Sequence, residues 1–218
     1  MRGLILKDFL NLKKNIRIFL AIFVVYGVLA FISDDSSFFS TVLTIIFAVL
    51  VLSLYSYDEM AKWDGYALTM PITRDNMVQV KYVMMLLLTF IGAIFGITFA
   101  FLMNITSMKF DLILKSIINC GIGTSIVILF YCVTIPFITK LGVEKARLIF
   151  FVVYLVPFII TIAVNKSIKS GQLTIPQNLV DMVSAIAKYA YVLLPLFVLL
   201  ALSVSYTISL SIYRKKEF

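Results

Sequence analysis

Histidine is missing altogether from the 218 residues. Its absence removes HExxH zinc sites and every Ser–His or Cys–His nucleophile pair. Cysteine occurs only as Cys120 and Cys132, inside one apolar run. Twelve helical residues separate them by about 18 Å, far beyond disulfide reach, so they read as small packing residues. No acid stands in the middle of any apolar run, so neither a paired-carboxylate enzyme nor a proton-coupled carrier finds its buried Asp, Glu or His. No G-x-x-x-x-G-K-[ST] loop is present to hold ATP, and no TVGYG potassium filter. The chain is short for two inverted halves of the usual size, with three spans plus three left open. Neither an enzyme nor a cofactor or metal site is expected. If the chain transports actively, its energy comes from another polypeptide.

What is abundant is hydrocarbon. Hydrophobic residues make up 62% of the chain and the mean hydropathy is +1.06, against roughly 45–50% apolar in soluble domains. The apolar residues fall into six runs, 18–32, 38–57, 82–104, 116–139, 148–165 and 190–213, each near the roughly 20 residues that cross a bilayer. The first is short and borrows 15–17 through snorkelling. Ser33-Asp34-Asp35-Ser36-Ser37 makes a tight acidic turn between the first two. The expected fold is an all-α membrane protein of six transmembrane helices in a single domain, 1–218.

The net charge of +8 would suggest nucleic acid in a soluble protein. Here it reads as topology, because no RRM-like aromatic pattern or Cys/His finger accompanies it. Fourteen Lys and Arg fall at the N-terminus, after the second and fourth runs, and at the C-terminus; five fall on the opposite side. Positive charge marks the cytoplasmic side, so both termini are expected inside, which requires an even number of spans. The N-terminus lacks a small-residue cleavage site and is expected to be retained. Residues 1–17 space Leu6, Phe9 and Leu10 against Lys13, Lys14 and Arg17, as in a helix lying among lipid headgroups; a plain flank of the first span is the other reading.

Polar punctuation carries the finer expectations. Pro71 followed by Thr73 predicts a helix capped at Thr73 and running from Arg74 to Asn104, about 46 Å, so that its first two turns stand outside the hydrocarbon. Gly92-x-x-x-Gly96 lets a helix approach closely, within the monomer or across a dimer. Ser116, Asn119, Gly123 and Thr124 share roughly one side of the fourth run, either lining a translocation path or making a polar contact between helices. Pro136, Pro157 and Pro195 are expected to kink or end helices. Residues 166–189 combine a turn with apolar residues at helical spacing (Leu179, Met182, Val183, Ile186, Tyr189/Ala190), predicting an amphipathic helix dipping into the outer interface before the last span, with a plain loop as the other reading.

The most polar interval is Asp58 to Lys81, DEMAKWDGYALTMPITRDNMVQVK, 24 residues holding four acids, three bases and the sole tryptophan, Trp63. A connector between spans needs only a few residues. Aromatic and apolar groups rimmed by charge read as a protein contact. Tyr57-Asp58-Glu59, Lys62-Trp63-Asp64, Tyr66, Leu68 through Arg74 and Val80-Lys81-Tyr82, with the opening MRGLILKDF, resemble the small ABC-2-type permeases of Gram-positive bacteria. The resemblance covers essentially the whole chain. It implies a type V exporter-like architecture with an interfacial N-terminal helix, a cytoplasmic coupling segment at 58–73 and re-entrant outer segments before the sixth span. It further implies a bacterial plasma-membrane location, an ATP-binding subunit as partner, a second permease copy, identical or not, and peptide cargo such as phenol-soluble modulins or lantibiotics. The ATPase-coupling role then falls on Asp58, Glu59, Lys62, Trp63, Asp64, Tyr66 and Arg74. Trp63 and Tyr66 would anchor in the ATPase, and Asp58, Glu59 and Arg74 would set register. An immunity or sensor protein without a transport cycle is the alternative from another class; a passive channel is a third.

Overall fold

Thr73 starts a helix of 32 residues. In the computed structural model its hydroxyl accepts the Asn76 backbone N–H at 3.3 Å, satisfying one of the donors a helix leaves bare at its first turn. The structure describes residues 2–13, 36–105, 110–146 and 177–216, with isolated positions between 17 and 28 and at 166. The elements are α1 (Arg2–Lys13), α2 (Ser36–Met60), α3 (Trp63–Ala67), α4 (Arg74–Ile105), α5 (Phe110–Leu141) and α6 (Gln177–Lys215). Three helical stretches are long and apolar enough to cross a membrane: Arg74–Leu102, Ile113–Leu141 and Leu193–Lys215. The 25-residue α2 contains the second apolar run. The fifth run, 148–165, and most of the first lie outside the described residues.

Small polar side chains are buried beside the apolar core, and large apolar ones face outward. Thr44, Thr89, Ser116, Thr134, Ser205 and Ser209 are buried, while Ile94, Leu102 and Leu199 are each more than 60% exposed. Lipid is as apolar as leucine, so helices in it associate through close packing and polar contacts. Both devices are present. Tyr82 on α4 hydrogen-bonds Ser205 at 2.7 Å and Ser209 at 2.9 Å on α6. Ser205 in turn donates to the Cys132 carbonyl of α5 at 2.6 Å. One phenol thereby joins three helices. On the other side of α4, a Cβ on Gly92 would stand 2.7 Å from the Phe47 Cβ and 3.2 Å from the Thr44 Cα. Gly92 is therefore the seat of α2 within the monomer, and Phe47 stacks on Phe95 with 5.3 Å between ring centroids. Cys120 and Cys132 are both buried and unbridged.

The amphipathic stretch 179–190 and the last span are one continuous helix, α6, 39 residues long. No Gly or Pro interrupts 177–194, and Pro195, like Pro136 in α5, sits inside its helix. Apolar periodicity located a helix but carried no signal for a break. A proline in a membrane helix is tolerated where neighbours satisfy the freed carbonyl. The true stop is Gly142, whose φ of +81° ends α5 in the left-handed region that glycine enters at no steric cost.

Gly92→Ala is expected to lower the melting temperature of the detergent-solubilised protein, since overpacking costs about 1–3 kcal/mol. Gly121, where an added Cβ would meet nothing within 4 Å, is the control: Gly121→Ala should raise stability by up to about 1 kcal/mol through helix propensity alone.

Candidate functional site

The segment between α2 and α4 is an ordered turn. Ala61 N–H donates to the Tyr57 carbonyl at 3.0 Å, and Lys62 N–H to that of Glu59 at 3.1 Å. Lys62 then takes φ 48°, ψ 37°, a left-handed conformation that costs a side-chain-bearing residue roughly 1–2 kcal/mol. This reversal starts α3, whose inner face is fixed by the fully buried Ala67. Thr69 closes the turn through bonds to the Tyr66 carbonyl from its N–H at 3.1 Å and its hydroxyl at 2.8 Å.

Beneath the turn lies a cluster of four charges. Lys7 Nζ of α1 stands 2.6 Å from Asp58 Oδ1 and 2.9 Å from Asp8 Oδ1. Lys81 Nζ of α4 is 3.4 Å from Asp8 Oδ2 and pairs directly with Asp58 Oδ2. The side chains of Asp8 and Asp58 are only 1% and 8% exposed. Two cations and two carboxylates balance, the condition under which buried charge is tolerated. The cluster pins α1 to the end of α2 and the start of α4.

The predicted coupling residues divide into inward and outward groups. Asp58 is inward, in the cluster. Trp63 also turns inward: its ring packs against the apolar core, with Lys7 Nζ 4.5 Å from its centroid and Tyr66 5.6 Å away. Glu59 reaches across to the end of α5, where its Oε2 accepts the Val143 N–H at 2.5 Å, capping the helical turn 143–146 from another element. Asp64 is half-buried, and that burial raises its carboxyl above the usual range, with Lys216 and Lys81 opposing the shift and Asp58 adding to it. Arg74 donates to the Arg214 carbonyl. Arg214 grips Asp75 with both arms of its guanidinium, Nε to Oδ1 at 2.9 Å and Nη2 to Oδ2 at 2.5 Å. The outward group is Lys62 and Tyr66, joined by Met60, which is 83% exposed. The turn 61–73, the end of α5, the end of α6 and α1 therefore share one end of the molecule. These are the segments that the charge count assigns to one side.

On α5, Ser116 and Thr124 are buried, with Gly123, against neighbouring helices; Asn119 is half-buried. The Thr124 hydroxyl bonds its own helix at the Cys120 carbonyl, 2.7 Å.

Sequence reasoning missed Asp8 as a partner in the charge cluster. The signal was there: Asp8 is the only acid in the first 33 residues, set on a helix otherwise apolar and basic. It also missed Tyr55, Tyr213 and Lys216, which come near the turn only through folding.

The family model described as "ABC-2 family transporter protein" matches residues 3–214. The chain belongs to the ABC-2 transporter family. The permease is thus the membrane component of an ABC transporter, and its family works with an ATP-binding subunit. No curated protein and no solved structure matches the chain.

Asp58→Ala strands Lys81 and is expected to cost about 3–5 kcal/mol; Asp58→Ala with Lys81→Met should recover part of that loss in chemical or thermal melts. Asp64 is favoured in its protonated form when folded, so its contribution to stability is present at acid pH and lost as pH rises through its raised value. The stability of Asp64→Asn relative to the natural protein should therefore increase as pH rises above the ordinary carboxylate range of about 4, as read by paired thermal melts.

Proposed function

We propose that the permease is an exporter subunit driven at its polar end by an ATPase that docks on the outward face of the 58–73 turn. The single observation carrying this is the split of that turn. Its inner side is fixed by Asp58, Trp63 and Ala67, while Met60, Lys62 and Tyr66 stand out from it. Apolar and aromatic groups held out on a stiff mount are the anchors of protein interfaces. Force on α3 passes directly into α2 and α4, and α4, 32 residues and about 48 Å long, carries it through the bilayer.

The same geometry supports six crossings with both termini on the ATPase side. α5 and α6 both finish at the polar end, and so does α2, while α1 also lies there. One further crossing between α1 and α2 and one between α5 and α6, the first and fifth apolar runs of the sequence, would with α2, α4, α5 and α6 make six. The exposed apolar α1 residues Leu6, Phe9 and Leu10 suit a helix lying in the interface of a bacterial plasma membrane. Amphipathic peptides as cargo, and pairing with a second permease, follow from the family resemblance.

The test uses outward residues, because changing Trp63 or Glu59 disturbs the mount itself. Met60→Asp combined with Tyr66→Ala should reduce co-purification of the ATPase about tenfold or more with an unchanged melting temperature. Undiminished recovery and undiminished stimulated hydrolysis would remove the docking assignment.

A further inference from the structure

Between the ends of α2, α4, α5 and α6, and behind α3, lies a cavity of about 110 Å³, space for several waters or the tip of one side chain. Its lining carries three carboxylates, Asp58, Glu59 and Asp64, and two ammonium groups, Lys81 and Lys216. Asp58 and Lys81 belong to the balanced cluster with Lys7 and Asp8. That leaves Glu59 and Asp64 as the remaining carboxylates of the lining, with the Lys216 ammonium as the remaining cation. A second feature points the same way. Tyr55, more than nine-tenths buried, lines this cavity, and its hydroxyl has no hydrogen-bond partner. A buried hydroxyl left unpaired costs about 1–3 kcal/mol, which a ligand bearing N–H groups removes. Carboxylates and an unpaired phenol oxygen around one small cavity suit the N–H groups of an organic cation.

We propose that this cavity is a receptor for one ammonium or guanidinium group, bound by the Asp64 and Glu59 carboxylates and the Tyr55 phenol oxygen. Glu59 accepts the Val143 N–H with one oxygen and offers the other. A guanidinium has N–H donors enough to meet both carboxylates and the phenol at once. The cavity opens at the end where the ATPase docks under the reading above, so a basic side chain of that subunit is one source of the cation; a free amine is the other. The site itself does not depend on that reading.

The test titrates the full-length permease alone, in detergent, with methylguanidinium, and uses potassium at equal ionic strength as the control. Trp63 is the sole tryptophan and adjoins Asp64, so its fluorescence reports the site. A saturable change specific to methylguanidinium is expected. Asp64→Asn should weaken it about tenfold or more, and Tyr55→Phe, which removes only the unpaired hydroxyl, by several-fold. No saturation, an equal response to potassium, or an unchanged affinity in both variants would overturn the proposal. Adding the ATPase then names the source: competition with methylguanidinium assigns the cation to that subunit, and none assigns it to a free amine. Because the first arm contains no ATPase, its failure leaves docking through Met60 and Tyr66 untouched.

Discussion

Two buried carboxylates and two half-buried ammonium groups hold the polar end of this permease together. Lys7, Asp8, Asp58 and Lys81 come from α1, α2 and α4, and no one of them is tolerable there without the others. Desolvating a lone carboxylate or ammonium costs several kcal/mol. The cluster therefore does little for net stability but a great deal for specificity: it allows one arrangement of the three helices and penalises the rest. Elsewhere in the membrane region the helices are joined by weaker means, a phenol bridging two serines and a glycine making room for a phenylalanine.

Around the cluster, each connection at this end is tied to another element. Glu59 caps the turn after α5, Arg214 clamps the first turn of α4, and Trp63 fills the space over Lys7. The left-handed Lys62 is the cost of the sharp reversal that places α3 across the helix ends. The opposite arrangement holds along the spans, where outward residues are plain hydrocarbon and fit a fluid surrounding.

The sequence carried the helices well and the site unevenly. Thr73 after Pro71 located the start of α4 to the residue, because capping is local chemistry. Charge counting grouped the right segments at one end, because topology is written in the flanks of spans. Asp58 and Trp63 face inward, and the exposed Glu59 reaches the end of α5, placements that the sequence does not show. Their polarity signalled importance, but whether a charged residue faces out or in depends on partners 51 and 84 positions away. Gly92 was legible as a close-packing residue, and only Phe47 decided against which helix. The unbroken α6 was not legible, since a proline can kink, end or merely occupy a membrane helix according to its neighbours.

The central claim is that α1, the 58–73 turn, the end of α5 and the end of α6 lie together on one face of the membrane. The most direct measurement is labelling of single cysteines, Tyr66→Cys, Glu144→Cys and Lys215→Cys, in a Cys120→Ala/Cys132→Ala background, with a membrane-impermeant maleimide applied to intact cells and to inverted vesicles. All three positions are predicted to react in inverted vesicles and to stay unlabelled in intact cells. Reaction of any one of them from the opposite side to the other two would contradict the claim.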